Sequence, residues 1–332
     1  MLHGTNALPR RASCGDGSRL SSEPISTFSI AESRGPKKRA PAVSAHADGG
    51  AEPAWDQVIR ADRKFLEIPW RELWKYRDLV WMLAQRDVSA SYKQTVLGPF
   101  WFILQPLMVT AVFSYLFGRM GRLGTSDVPH YLFYMSGLVL WTFFSETLTK
   151  TSTVFISNAN LFNKVYFPRL CVPLGGVLTG LVPLLVQIGL FLAGLAFYLW
   201  KANPYIHPNW FIVLTPLIFV QLAALGLGLG LIVSAWTRRF RDLAFGVKVG
   251  LQLWMFGSAI VFPISRIADP HDQMLFFLNP VVPLIEAFRY AFFGVSLVQP
   301  WHIALSFAVT CVVLFLGIAL FNRAEQTAMD TV

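Results

Sequence analysis

The chain has 332 residues, 54% of them hydrophobic and only 14% charged, with a mean hydropathy of +0.49 and a net charge of +9. A water-soluble domain carries about 25% charged residues, so this composition excludes an ordinary soluble enzyme and points to a polytopic membrane protein. Nor is the charge a nucleic-acid footprint, because 15 of the 28 Lys and Arg precede the first long apolar run, as expected of a cytoplasmic N-terminus. Cys14, Cys171 and Cys311 stand far apart, two of them in apolar runs, with neither a disulfide framework nor metal spacing.

Residues 1–54 hold Gly, Ser, Ala, Pro and basic residues with almost no aromatics, so they are expected to form a disordered cytoplasmic extension. Arg10-Arg11 and Ala12-Ser13-Cys14 imitate a twin-arginine start and a lipoprotein cleavage box, but both need an apolar h-region that is missing, and no cleavage is expected. From Trp55 to Leu97 the character changes. Trp70, Leu73, Trp74, Arg77, Trp81 and Leu83 recur at roughly helical spacing among Arg71, Lys75, Arg86 and Asp87. That mixture suits an amphipathic helix lying in the headgroup plane; a short soluble helix packed on a partner is the other reading. A Leu97-Gly98-Pro99 hinge then leads into apolar sequence.

Six spans are expected between residues 98 and 323. They run from about Pro99 to Gly118, Tyr131 to Leu148, Cys171 to Trp200, Trp210 to Trp236, Leu243 to Phe262 and His302 to Phe321. Pro106 should kink the first. The fourth carries Gly226, Gly228 and Gly230, a small-residue surface with one G-x-x-x-G for close helix packing. Between spans two and three, residues 149–170 turn from polar to amphipathic, and Leu161, Phe162, Val165 and Tyr166 could share one face of a short helix that Pro168 would end.

The stretch from about 264 to 299 is broken by Pro270, Pro280, Pro283 and Gly294. Two short apolar pieces flank Asn279-Pro280, lengths that suit re-entrant helices before the last span. Glu286 and Arg289 lie one turn apart there and should pair or line water; Glu146 and Lys248 raise the same question. A polar tail from residue 324 ends the chain. With six spans both termini share one side, and the segments on that side hold 22 Lys and Arg against five on the other.

In this order the elements resemble the membrane subunit of ABC-2 type exporters, most of all the branch that exports lipid-linked polysaccharides such as O-antigen, capsule and teichoic-acid chains. The resemblance covers about residues 66 to 323. Five stretches carry it: RDVSASYKQTVLGPFWFILQPL at 86–107, GLVLWTFFSETL at 137–148, SNANLFNKVYFPR at 157–169, RRFRDL at 238–243 and NPVVPLIEAFR at 279–289. It implies an all-α integral protein of the cytoplasmic (inner) membrane with both termini inside. It further implies a homodimer of these permeases, surrounded by membrane lipids and served by two cytoplasmic ABC ATPase subunits. The chain lacks G-x-x-x-x-G-K-[ST], so ATP and Mg belong to that partner, and this subunit is expected to need no cofactor and to be no enzyme.

By the same resemblance Asn160, Leu161, Phe162, Lys164, Tyr166 and Arg169, with Arg241, form the contact to the ATPase. An apolar face with a basic rim, on a loop between long spans, suits that task; an ordinary positive-inside loop is the plainer reading. Arg86, Tyr92, Lys93, Leu97 and Gly98 fall at a cytoplasmic gate helix, where Arg and Lys could hold a diphosphate headgroup or simply snorkel. Trp101, Phe102, Phe113, Tyr115, Trp254 and Phe256 lie in spans one and five, which line the conduit in the resembling family and would offer flat rings to passing sugars. Asn279, Pro280, Glu286 and Arg289 fall on the pair capping the outer mouth. An exporter of drugs or small lipids is the alternative, against which the long aromatic interfacial helix argues. A membrane-embedded transferase would need clustered acids or a His base, yet His130, His207, His271 and His302 stand singly.

Overall fold

The computed structural model describes residues 70–93, 98–121, 124–125, 128–162, 167–201, 206–237 and 239–329. The expected N-terminal extension and the residues up to 69 lie outside the described residues, as do Leu97, Lys164, Tyr166, Arg238 and the last three of the tail. Every regular element among the described residues is helical. In chain order they are α1 (Trp70–Lys75), α2 (Arg77–Tyr92), α3 (Trp101–Phe113), α4 (His130–Ser152), α5 (Val154–Ser157), α6 (Ala159–Phe162), α7 (Cys171–Trp200), α8 (Thr215–Thr237), α9 (Leu243–Phe256), α10 (Pro270–Leu278), α11 (Val282–Phe293) and α12 (Pro300–Met329).

Four stretches are long and apolar enough to cross a membrane: Gly98–Met120, Cys171–Trp200, Trp210–Thr237 and Pro300–Ala324. The first starts on a single 3₁₀ turn, continues as α3 and finishes as a π-helical stretch, Ser114–Met120. A fifth helix, α4, is long enough but less apolar. Its 23 residues span about 35 Å, and they include Ser136, Thr147, Thr151 and Ser152, all buried. Two of these hydroxyls bond the helix's own backbone, whereas those of Thr147 and Thr151 have no hydrogen-bond partner among the described residues. Ser136 Oγ donates to the Phe133 carbonyl at 2.7 Å and Ser152 Oγ to that of Thr149 at 2.8 Å. α4 packs on α7, α8, α9 and α11 and carries much of the main core, including Leu132, Tyr134, Phe144 and Leu140.

The glycines of α8 explain how it fits between neighbours. Gly226 and Gly230 lie against α4, where a Cβ would meet the Phe144 carbonyl at 3.1 Å and Thr151 Cβ at 2.5 Å. Gly228 points the other way, where a Cβ would lie 2.8 Å from Leu314 Cα of α12, and a Cβ on Gly317 would sit 2.4 Å from the Gly228 carbonyl oxygen. Small residues on two faces thus let α8 approach both helices backbone to backbone, which gains dispersion contacts where lipid offers no hydrophobic drive.

At the far end of α4, a second apolar cluster joins Leu73, Val80 and Leu83 of α1 and α2 to Phe155 of α5, Cys171 and Val172 of α7, Leu231 of α8 and Phe321 of α12. The buried side of α2 is therefore aliphatic, with Ala84 beside Leu83. Trp74 and Trp81 remain 72% and 59% exposed, so these two tryptophans of the sequence pattern lie off the packed side.

Helix α9 stops at Phe256, short of the Phe262 expected from its apolar run, and its 14 residues reach only about 21 Å. The reason lies in the residues that follow. Ala259 has φ +53°, a left-handed conformation costly for a residue with a Cβ, and its carbonyl is taken by a side chain rather than by helix. Helices α10 and α11 meet at 104° across Asn279-Pro280-Val281; at 9 and 12 residues, neither crosses a bilayer alone.

Gly317→Leu should force α8 and α12 apart. Overpacking costs about 1–3 kcal/mol, so the detergent-purified protein should melt at least about 3 °C lower in a thermal-shift assay. Gly189→Ala, where nothing lies within 4 Å of the added atom, should leave the melting temperature unchanged.

Candidate functional site

The residues singled out in the sequence fall into three groups. The first gathers where α4 ends. Helices α5 and α6 follow at once, and Phe162 of α6 packs on Phe155 at 5.8 Å and Phe167 at 6.0 Å between ring centroids. The Arg169 guanidinium lies over the Phe162 ring at 5.5 Å, and Phe155 stacks on Phe321 of α12 at 4.8 Å. Leu161 is half-buried beside them, Asn160 belongs to α6, and Arg241 is exposed in the turn between α8 and α9.

This group takes in the expected gate residues on α2. Arg86 Nη2 donates to Asn158 Oδ1 at 3.2 Å, while its Nε bonds the carboxylate of Asp87 at 2.9 Å. A residue of the expected gate helix thus touches the loop that begins α6. Asn158 lies within the stretch that carried the resemblance but drew no attention there, since nothing in the sequence pairs it with a residue 72 positions away. Tyr92 and Lys93 close α2, and Gly98 follows with φ +49°, which favours glycine at this hinge.

The aromatic set divides. Trp101, Tyr115 and Phe256 are exposed on α3, its π-helical continuation and α9. Phe102 is half-buried. Phe113 and Trp254 instead hold their helices against α4: Phe113 packs edge-on to Tyr134 at 6.2 Å, and Trp254 edge-on to Phe144 at 5.4 Å. Lys248 and Gln252 are exposed on α9 between Phe245 and Leu253, and Gln105 on α3 beside Trp101 and Met108. Among the described residues, these two helices leave broad apolar faces with a few polar groups uncovered.

The third group is the α10–α11 hairpin. Arg289 is 2% exposed, and its Nη1 donates to Glu286 Oε1 at 3.0 Å and to the Ala259 carbonyl at 2.8 Å. Its Nε and Nη2 reach Ser136 Oγ and the Phe133 carbonyl at 3.4 Å each, and the guanidinium sits 3.7 Å from the Phe133 ring centroid. Glu286 accepts a further bond from Ser296 Oγ at 2.9 Å. Asn279 anchors the bend itself. Its Oδ1 accepts from the Val281 N–H at 3.1 Å, and its Nδ2 donates to the Gly257 carbonyl at 3.0 Å. The Pro280 carbonyl accepts from Ser306 of α12 at 2.6 Å. Ala259 and Ser136, which complete this network, carry no signal in the sequence.

Among the described residues no group of acids, His and Cys is placed to hold a metal ion. The arrangement offers a tied junction at one end, a clamped hairpin at the other and an uncovered face along the length between them.

Comparison with known proteins follows that outline. The profile of the ABC-2 type transporter family matches residues 78–293. The O-antigen export system permease protein RfbA of Myxococcus xanthus is 30% identical over 261 residues, covering 78% of this chain and 97% of the relative. A Klebsiella pneumoniae protein of the same name is 26% identical over 249 residues, covering 75% of this chain and 92% of the relative. The polysialic acid transport protein KpsM of Escherichia coli is 25% identical over 256 residues, covering 75% and 94%.

Arg289→Met strands a buried carboxylate, and Glu286→Gln removes the charge that partners the guanidinium. Breaking one side of a buried pair costs about 3–5 kcal/mol, so each variant should melt well below wild type. The double variant should recover part of the loss in a double-mutant thermal-shift cycle.

Proposed function

The chain belongs to the ABC-2 type transporter family, and on that premise we propose that it is the permease subunit of an ATP-driven exporter moving a lipid-linked polysaccharide across the cytoplasmic membrane. It is a transport subunit rather than an enzyme. One observation carries the cargo: relatives from different species, named for O-antigen export or polysialic acid transport, align along three quarters or more of this chain and nearly all of their own. O-antigen and polysialic acid share the chemistry of a long hydrophilic glycan.

Six spans fit this reading, with α3, α4, α7, α8, α9 and α12 crossing and the α10–α11 hairpin entering and leaving on the outer side. Both termini are then cytoplasmic, which the Lys and Arg distribution supports. The uncovered faces of α3 and α9 belong, in this reading, to a homodimer whose two copies enclose the glycan path. Exposed Trp101, Tyr115 and Phe256 suit that path, since ring faces accept sugar C–H groups without holding any one sugar tightly. Phe113 and Trp254 serve it indirectly by fixing the two helices to α4.

The junction of α5, α6 and Arg169, with Lys164 and Tyr166 of the same loop and Arg241 of the α8–α9 turn, is assigned to the two ATPase partners, which hold ATP and Mg. Its geometry supports mechanical transmission. Phe162 and Phe155 link the loop to α12, and Arg86 links it to α2, so a push on α6 reaches both the last span and the helix bearing Arg86, Tyr92 and Lys93. Those basic groups, ahead of the Leu97-Gly98 hinge, suit the diphosphate of a lipid carrier.

Three measurements test this. When the complex with its ATPase is reconstituted in nanodiscs, hydrolysis should rise with lipid-linked glycan and stay flat with hydrophobic drugs; the reverse pattern supports the drug-exporter alternative. Lys164→Glu should abolish glycan export while leaving membrane insertion normal. Phe162→Cys should react with an impermeant thiol reagent only after cells are opened, and labelling of intact cells would place the coupling loop on the wrong side.

A further inference from the structure

Two cavities meet inside the protomer, between α2, α3, α4 and α7. One is about 190 Å³ and the other about 390 Å³, and Phe102, Glu146 and Pro183 bound both. The walls are polar along one stripe of each helix. From α4 come Thr142, Ser145, Glu146, Thr149 and Lys150, which recur at helical spacing. Ser91 of α2 and Thr179 of α7 face the larger cavity, and Gln105 of α3 and Gln187 of α7 face the smaller. Glu146 and Lys150 form an ion pair at 3.5 Å, each about one-third exposed, so the pair keeps open coordination toward the cavity.

Gln187 makes the strongest demand. It is only 6% exposed, lines the smaller cavity, and among the described residues its amide has no hydrogen-bond partner in the protein. The amide therefore opens onto the cavity, where a ligand or water meets its donor and acceptor. The cavity's free space of about 190 Å³ holds several water molecules.

The donors and acceptors narrow the class. A carboxylate only accepts, an ammonium only donates, and an amide does both. A ligand satisfying Lys150, Glu146 and the two glutamines together must carry an anion and, about one helical turn away, hydroxyls that both donate and accept. A phosphoethanolamine headgroup meets the ion pair but brings no hydroxyls that both donate to and accept from the amides. We infer that this recess binds a glycosyl phosphate: the sugar-proximal phosphate at Lys150 in the larger cavity, which α2 also lines, and the first sugar in the smaller one against Glu146, Gln105 and Gln187, with Phe102 and Trp141 as flat walls. This rests on the polysaccharide-export reading and assigns it a recognition site for the sugar nearest the lipid carrier.

The test uses the complete complex with its ATPase, in nanodiscs. The probes are farnesyl diphosphate-linked N-acetylglucosamine, farnesyl diphosphate alone and phosphatidylethanolamine. Wild type should bind the sugar-bearing probe about tenfold more tightly than farnesyl diphosphate, the worth of one or two hydrogen bonds. Gln187→Leu and Glu146→Gln should each cut that preference to about twofold or less, and Lys150→Met should weaken both diphosphates alike. Leu185→Ala, on the exposed side of α7, should change nothing. Gln105→Leu, on the opposite wall, replaces Gln187→Leu if the latter fails to assemble. No sugar preference in wild type, a preference surviving both changes, or displacement of the sugar probe by phosphatidylethanolamine at equal concentration overturns the site. ATP-driven glycan export by the same wild-type preparation separates the two readings. Export without the preference sinks this site alone, whereas no export sinks the polysaccharide reading itself.

Discussion

A guanidinium removed from water must find its hydrogen-bond partners within the protein, and Arg289 finds them on three separate elements. Glu286 lies one turn back on α11, Ser136 and the Phe133 carbonyl belong to α4, and the Ala259 carbonyl belongs to the strand of irregular chain after α9. Each contact fixes an element relative to the others. Backbone that leaves the helix at membrane depth is tolerated only where its polar groups are satisfied by protein. Within residues 257–263, Arg289 takes the Ala259 carbonyl and Asn279 that of Gly257. The buried pair is thus the condition on which α9 can end early and the hairpin can bend.

From that fixed end, α4 runs the length of the bundle as a central post. Around it the packing is set by size rather than by apolarity, since lipid tails are as apolar as leucine. Glycines on two faces of α8 bring it against α4 and α12 together, and the aromatic rings of Phe113 and Trp254 draw α3 and α9 to the same post. At its other end α4 passes directly into the junction of Phe155, Phe162, Phe321 and Arg86. One helix therefore joins the loop assigned to the energy-supplying partner to the clamp on the α10–α11 hairpin. The recess at Glu146 and Lys150 lies along the same helix, between the two.

Much of this was legible beforehand. Long apolar runs, Pro and Gly punctuation and the skew of Lys and Arg are local properties, so the helices of α3, α7, α8 and α12 and the break at Asn279-Pro280 could be read directly. The G-x-x-x-G of α8 announced close packing, and Glu286 with Arg289 announced a pair because a charge in an apolar run needs one. The end of α9 was not legible. Its apolar sequence continues to Phe262, and helix propensity gives no reason to stop; the alternative conformation is held by an arginine 30 residues away. The aromatic residues show the same limit. Trp101 and Trp254 look alike in sequence, yet one is exposed and the other locked on Phe144.

The sequence by itself determined that this is an all-helical chain that crosses a membrane, and it carried enough ordered motifs to indicate the family, because burial in lipid imposes a composition that each segment must meet alone. Only the tertiary structure decided which polar groups meet. Arg86 with Asn158 and Arg289 with Ala259 are pairings of distant residues. Hydrogen bonds act over about 3 Å, so their partners exist only once the helices have packed.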